Sequence, residues 1–337
     1  MSAVQTGLEF LRARVARRKE STGSDMPAAI PPSLGRHVLK IAERLAGDGH
    51  LDRVEANRWR YGIIPRLHPD PLRKAAAGAG LEPIRVFMPM HEKDSWMAHL
   101  AVAGLCSSSD HPIDSITVCI PDGLEPPRWT GQYPIEVTRD SEVLRTVFSE
   151  GESAFPSSGY LRQMSLKLIA AASSDISTLI QCSDTALLRP RVWMFEGRQI
   201  LPVHRKSPQM FHRHSATFLG VPAAVRQSST TTHHQLMQPG LVHELFGRGE
   251  AMRERLTEWH EIREHEAPCE YQVYGSHLRL SRPEGWLPAS WRHHNSTVAW
   301  EEMRSLPELS RAEAEEVLNR LREEHSHLFG LSLHVRS

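Results

Sequence analysis

The chain has 337 residues, 40 Lys+Arg against 40 Asp+Glu, 40% hydrophobic and 24% charged residues. That length holds one large domain or two small ones, and the near-average composition excludes collagenous, coiled-coil and wholly disordered chains. The charge balance gives no bulk footprint for nucleic acid or an anionic membrane, so no nucleic-acid partner is expected. The four cysteines, Cys106, Cys119, Cys182 and Cys269, form no C-x-x-C pair. Their scatter argues against a disulfide framework and a thiolate zinc site, and for a reducing, cytoplasmic setting. No apolar run of signal-peptide length follows the Arg-rich stretch Arg12 to Lys19. No transmembrane segment is expected either, because no stretch approaches the roughly 18 apolar residues of a membrane span.

In chain order, residues 1–33 mix a short basic helix with a Ser-Thr-Gly-Ser run and Pro31-Pro32, which reads as a frayed leader. Leu34, Val38, Ile41 and Leu45 recur at helical spacing and predict an amphipathic helix over 34–46. Residues 1–82 are thus expected to form a helical N-terminal appendage, partly disordered. A role for its Arg-rich segment in recruiting a partner or membrane surface is a further possibility. From residue 83 the pattern changes. The apolar run Ile84 to Met90 predicts a strand, and Asp94 precedes a helix with Met97, Leu100, Ala101 and Leu105 on one face. Further strands are expected at Ile116 to Pro121, Pro134 to Thr138 and Ser177 to Ser183, with a helix over 159–173 between the last two. Beyond residue 190 the spacing predicts a hairpin around Gly197, a His-rich stretch from His204 to His214, and helices near 240–247 and 250–265. Ser310 with Glu313 forms a capping box, and the stripe Ala314, Val317, Leu318, Leu321, Leu328 predicts a helix over 310–328 that closes the chain. The expected architecture is α/β, with a core over 83–300 and a C-terminal helical region over 301–337 packing on it.

In an open parallel sheet, ligands bind beyond the carboxyl ends of the strands. The residues there are polar: His91, Glu92, Lys93 and Asp94 after the first strand, Asp122 after the second, and Asp184 with Thr185 after a later one. Such acidic residues suit a nucleotide's hydroxyls and a divalent cation, which takes hard oxygen ligands and bridges phosphates. A helix cap at Asp94 and a turn at Asp122 are the plainer readings of each alone. The chain contains no G-x-G-x-x-G after the first strand, no G-x-x-x-x-G-K-[ST], no G-x-S-x-G and no H-E-x-x-H. Dinucleotide-binding Rossmann domains, P-loop NTPases, α/β-hydrolases and zincins therefore lack their defining elements.

Over residues 83 to 295 the chain resembles a little-characterised bacterial branch of the GT-A-type glycosyltransferases. The carriers are "IRVFMPMHEKD" (Ile84 to Asp94), the stretch from His111 to Pro121, the Gln163- and Lys167-bearing segment from Gly159 to Leu168, and Gln181-Cys-Ser-Asp-Thr185 followed by Arg189-Pro190. Two further carriers are Thr231-Thr-His-His-Gln235 and Cys269-Glu-Tyr-Gln-Val-Tyr-Gly275. The resemblance implies a GT-A-like mixed sheet flanked by helices. It also implies an enzyme that moves a sugar from a nucleotide-sugar donor to an unknown acceptor, with Mn²⁺ or Mg²⁺ as cofactor. Glu270 is then the catalytic base; His91, Asp94, Asp122, Gln163 and Lys167 serve the donor; and Asp184, His233, His234 and His293 serve the metal. Read alone, these residues also fit loop, capping and surface ion-pair roles. Cys182 stands where the family's Asp-x-Asp motif has its first Asp, which motivates an alternative, a catalytically reduced nucleotide-sugar-binding protein.

Overall fold

The computed structural model describes residues 2–16, 69–77, 80–148, 159–203, 209–221, 229–262, 267–290, 293–326 and 328–336. The helix expected over 34–46 and part of the His-rich stretch lie outside them. The main sheet has five strands, β1 (Ile84–Pro89), β2 (Ile113–Ile120), β3 (Glu136–Arg139), β4 (Thr178–Gln181) and β8 (His234–Met237), in the order β3-β2-β1-β4-β8. The β1–β2, β2–β3 and β1–β4 pairs are parallel, and β8 closes the edge antiparallel to β4. The sheet is mixed, as expected, with helices on both faces.

Strand alternation divides the core. On β1, Ile84, Val86 and Met88 join Val118, Leu179 and Leu236 on one face, with residues of the helices Ser95–Ser108 and Arg311–Glu324. Phe87, Cys119 and Ile180 point to the other face, against the helices Gly159–Ala172 and Pro239–Phe246. A strand buried on both faces reads as a continuous apolar run, which is why β1 stands out in the sequence. Two small sheets decorate this body. One joins β5 (Thr185–Leu187), β10 (His293–Ala299) and β11 (Gly330–Arg336) in the order β10-β11-β5. The other joins β6 (Met194–Phe195), β7 (Arg198–Val203) and β9 (Trp286–Ser290) in the order β6-β7-β9. The expected hairpin is the β6–β7 pair, turned by Glu196 and Gly197 at φ 49° and 71°, the two left-handed residues that a tight hairpin turn requires.

Three expectations are corrected. Residues 3–16 are not a frayed leader: they form the helix Ala3–Ala16, whose Leu8 and Leu11 are fully buried in the same core face as Val317 and Leu321. The apolar stripe, not the basic residues, determines the outcome. Asp94 does not act as a side-chain cap, since it ends a short 3-10 turn (Glu92–Asp94) and makes no capping hydrogen bond. The helix from Ser310 ends at Glu324 and does not close the chain, because β11 follows it and threads between β10 and β5. Its capping box forms as expected. Among the described residues no helix is long and apolar enough to cross a membrane.

Candidate functional site

The chain adds β2 and β3 on one side of β1 and then returns to add β4, parallel to β1, on the other, so the order of strand addition reverses between β1 and β4. The loops leaving the two strands at such a point diverge and open a crevice. A cleft of about 580 Å³ lies there, within the usual range for small-molecule sites. His91 and Asp94 from the loop after β1, Pro121 after β2, Gln163 from the helix Gly159–Ala172, Cys182 and Asp184 after β4, and His334 from β11 all line it.

Asp184 is the centre of this cleft's charge. Its Oδ2 accepts a hydrogen bond from His334 Nδ1 at 2.8 Å, its Oδ1 accepts one from Thr185 Oγ1 at 3.0 Å, and His233 Nδ1 lies 3.7 Å from Oδ1. Burial works to raise the Asp184 carboxyl, but the His334 hydrogen bond and the neighbouring imidazoles outweigh it and hold the group well below the usual carboxylate range. The same hydrogen bond raises His334, while burial lowers His233. His233 is held in the left-handed region at φ 60°, uncommon for a residue with a Cβ, and its carbonyl accepts from the Cys182 N–H at 2.7 Å. The His233 ring centroid lies 5.5 Å from that of His293 and 5.2 Å from that of His334. Ligand atoms of Cys182, Asp184 and His233 lie within 4.8 Å of one another. This mixture of carboxylate oxygen, imidazole nitrogen and sulfur fits a divalent cation.

Asp94 faces the same centre. Ser183 Oγ donates to its Oδ2 at 3.2 Å. Burial, reinforced by the nearby Asp184 charge, pushes its carboxyl up to about 6, the range in which a carboxylate exchanges protons near neutrality.

Lys167 and Glu270 sit beneath the cleft floor and do not line it. Lys167 Nζ donates to Glu270 Oε1 at 2.6 Å and to Cys182 Sγ at 3.3 Å, and lies 4.9 Å above the Tyr271 ring. Tyr271 Oη and Cys182 Sγ are 3.1 Å apart. Burial tends to lower Lys167, but Cys182 and Glu270 reverse the effect and raise it. Burial pushes the Cys182 thiol up to about 11 against the pull of Lys167. Cys182 is thus the contact between the buried pair and the cleft.

The remaining expected residues are distributed as follows. Gln163 and His91 are cleft wall. Asp122 lies outside the lining, accepting from Ser141 Oγ at 2.6 Å, with Arg162 at 4.0 Å. His233 belongs to the Asp184 cluster and His293 meets it only through the His233 ring, whereas the wholly buried His234 packs edge-on against Trp193, ring centroids 5.1 Å apart. Two participants were missed by sequence reasoning. Arg162 reaches the cleft wall with its Nε 2.8 Å from Asp140 Oδ2. His334 arrives on β11, held by the Leu333 N–H donating to the Asp184 carbonyl at 2.9 Å. The signal for β11 was present in the alternation of Leu331, Leu333 and Val335 with Ser332 and His334.

No family model and no curated protein matches the sequence. Among solved structures, the chain is similar to mouse xyloside xylosyltransferase 1, at 9% identity over 64% of this chain and 88% of that one, with a TM-score of 0.35. It is also similar to glucosyl-3-phosphoglycerate synthase from Mycobacterium tuberculosis in complex with UDP, at 14% identity over 67% of this chain and 75% of that one, with a TM-score of 0.39. A complex of that synthase with Mn²⁺, UDP-glucose and phosphoglyceric acid gives 15% identity over 67% and 74%, with a TM-score of 0.38.

Proposed function

We propose that the cleft is the donor site of a GT-A-like glycosyltransferase, which moves a sugar from a nucleotide-sugar to an acceptor hydroxyl. The observation that carries this reading is Asp184 at the carboxyl end of β4, ringed by Cys182, His233 and His334 at the floor of a ligand-sized crevice between β1 and β4. In this reading Asp184 and His233 hold a divalent cation, which when bound neutralises charge on the donor's diphosphate. His91 and Gln163 contact the nucleoside side of the donor. His334 orients the Asp184 carboxylate through its hydrogen bond. The acceptor oxygen forms its bond to the anomeric carbon as the bond from that carbon to the diphosphate breaks, and its proton passes to a base. Asp94 faces the cleft beside Ser183 and Asp184 and is positioned for that transfer.

The Lys167–Glu270 pair favours a second reading, a nucleotide-sugar-binding protein with reduced catalysis, since it withdraws the expected base from the cleft. A thermal-shift screen of UDP- and GDP-sugars with and without a divalent cation, followed by assay of donor hydrolysis and transfer, tests both. A ligand at about 100 times its Kd stabilises by about 2.7 kcal/mol, a readily measured shift. Binding with turnover supports the transferase, and binding without turnover under every cation supports the second reading. If no nucleotide-sugar binds, both fail.

A further inference from the structure

The Asp184 cluster contains a sulfur atom that a hard-cation site does not need. We infer that Cys182 is itself a ligand, as its thiolate, and that the centre formed with Asp184 and His233 takes a borderline-soft cation of the Zn²⁺ class in preference to Mg²⁺ or Mn²⁺. The inference rests on the reading of Asp184 as a cation ligand and deepens it.

Three observations carry it. The ligand atoms of Cys182, Asp184 and His233 already lie within 4.8 Å of one another. With metal–sulfur bonds of about 2.3 Å and metal–nitrogen bonds of about 2.0–2.1 Å at a tetrahedral angle, two donors on one cation sit about 3.6 Å apart, so side-chain rotations of about 1 Å close the set. The backbone also holds sulfur and imidazole together: the Cys182 N–H donates to the His233 carbonyl at 2.7 Å, and His233 takes a left-handed conformation there. Finally, the sulfur has two polar partners that can stabilise a thiolate once a cation displaces the proton that burial otherwise keeps on it. The Lys167 ammonium donates to it at 3.3 Å, and the Tyr271 hydroxyl lies 3.1 Å away. Glu270, 2.6 Å from Lys167, offsets the ammonium charge, so the pair leaves little net charge to repel a dication.

Coordination forms the sulfur–metal bond and releases the thiol proton to solvent, with no change of oxidation state. Hard cations gain little from sulfur, whereas thiolate ligation selects Zn²⁺ and its neighbours. Cysteine spacing alone argues against such a site because only one thiolate contributes and His233 comes from a distant segment. His334 supports the set from outside, bonded to the second oxygen of Asp184.

The test uses the full chain and Co²⁺, a spectroscopic stand-in for Zn²⁺. The expected result is a sulfur-to-cobalt charge-transfer band in the near ultraviolet with intense four-coordinate visible bands, discharged by one equivalent of Zn²⁺ and not by excess Mg²⁺. Cys182→Ser removes the charge-transfer band and weakens Co²⁺ binding beyond the 10- to 100-fold typical of losing a supporting partner. Cys182→Asp loses the band and gains affinity for Mn²⁺, read by electron paramagnetic resonance. Co²⁺ bound to the wild type without the band, or a band that survives in Cys182→Ser, overturns the sulfur ligand and leaves the cation reading of Asp184 standing. If neither the wild type nor Asp184→Asn binds any cation, both fail together.

Discussion

Lys167 and Glu270, 103 residues apart in sequence, meet at 2.6 Å with both side chains almost wholly removed from solvent. Their partnership joins the helices Gly159–Ala172 and Glu270–Ser281 beneath the cleft. Replacing one member of a buried pair strands the other charge, typically at about 3–5 kcal/mol, while replacing both with apolar residues is often neutral. Glu270→Gln is therefore expected to lower stability to denaturant by about that amount, and the double variant Lys167→Met, Glu270→Met to recover most of it. If Glu270→Gln unfolds like the wild type and loses turnover alone, Glu270 acts in the chemistry and the structural role is wrong.

Asp184→Asn keeps the shape and an acceptor for His334 but removes the charge that a cation needs. Cation binding is expected to be lost and any sugar transfer to fall by about two orders of magnitude or more. The melting temperature should fall as well, because the fold favours the ionised carboxyl and both its oxygens accept hydrogen bonds. Calorimetric titration of the variant with Zn²⁺ and Mn²⁺ checks this. Undiminished binding of both would remove Asp184 from the site.

Gly104 lies where the helix Ser95–Ser108 crosses β5. A Cβ there would sit 2.8 Å from the Leu187 carbonyl oxygen and 3.1 Å from its nitrogen, backbone atoms that cannot yield without shifting the strand. Alanine would otherwise favour a helix by about 1 kcal/mol over glycine. Gly104→Ala should instead destabilise by about 1–3 kcal/mol, the usual cost of overpacking, as a lowered urea midpoint. A raised midpoint would show that the two elements can separate freely.

Acid should weaken the fold through its buried histidines. His99 stacks on Trp129 at an interplanar angle of 4°, with its Nε2 3.1 Å from the Tyr133 hydroxyl, and His214 Nε2 is 2.9 Å from the Trp259 carbonyl. Burial pushes both imidazoles down to about 4, against about 6.5 when unfolded. Between those values the unfolded chain binds more protons, so stability is full above about 6.5, falls as pH drops, and levels off near 4. The slope reaches at most about 1.4 kcal/mol per pH unit for each residue. Urea midpoints measured from pH 7 to 4.5 should decline steadily, and His99→Gln should flatten part of the decline. A midpoint constant across that interval would contradict the effect.

Strands β1, β2 and β4 were legible because they are mostly apolar runs, as at Ile84 to Met90, with polar residues at their carboxyl ends. The edge strand β8 (His234–Met237) was not anticipated, because His-Gln-Leu-Met carries no such run. The rule that ligands bind at strand ends points to Asp94 and Asp184 from the sequence alone. Asp94 shows its limit: a helix begins beside it, yet its carboxylate points to Ser183, since capping and cleft roles look alike in sequence. Glu270 shows another. Its local motif carries no trace of Lys167, whose approach depends on how two helices pack. His334 was missed because a seven-residue strand after a well-capped helix gives a weaker periodic signal than the helix itself. The segment Ala3–Ala16 reads as a basic leader because Val4, Leu8 and Leu11, which face the core, are interspersed with arginines and are covered by a helix at the far end of the chain.

The helix Ala3–Ala16 has a consequence for biosynthesis. Its apolar stripe is covered by the helix Arg311–Glu324, and Arg12 pairs with Glu324 at a separation of 312 residues. At translation rates of about 5–20 residues per second, the first helix waits roughly 15–60 s for the partner that covers it. During that interval Leu8 and Leu11 are open to other apolar surfaces in the cell. The chain therefore cannot complete this core face in the order in which it is made, and its yield should depend on chaperones that shield the N-terminal segment during synthesis.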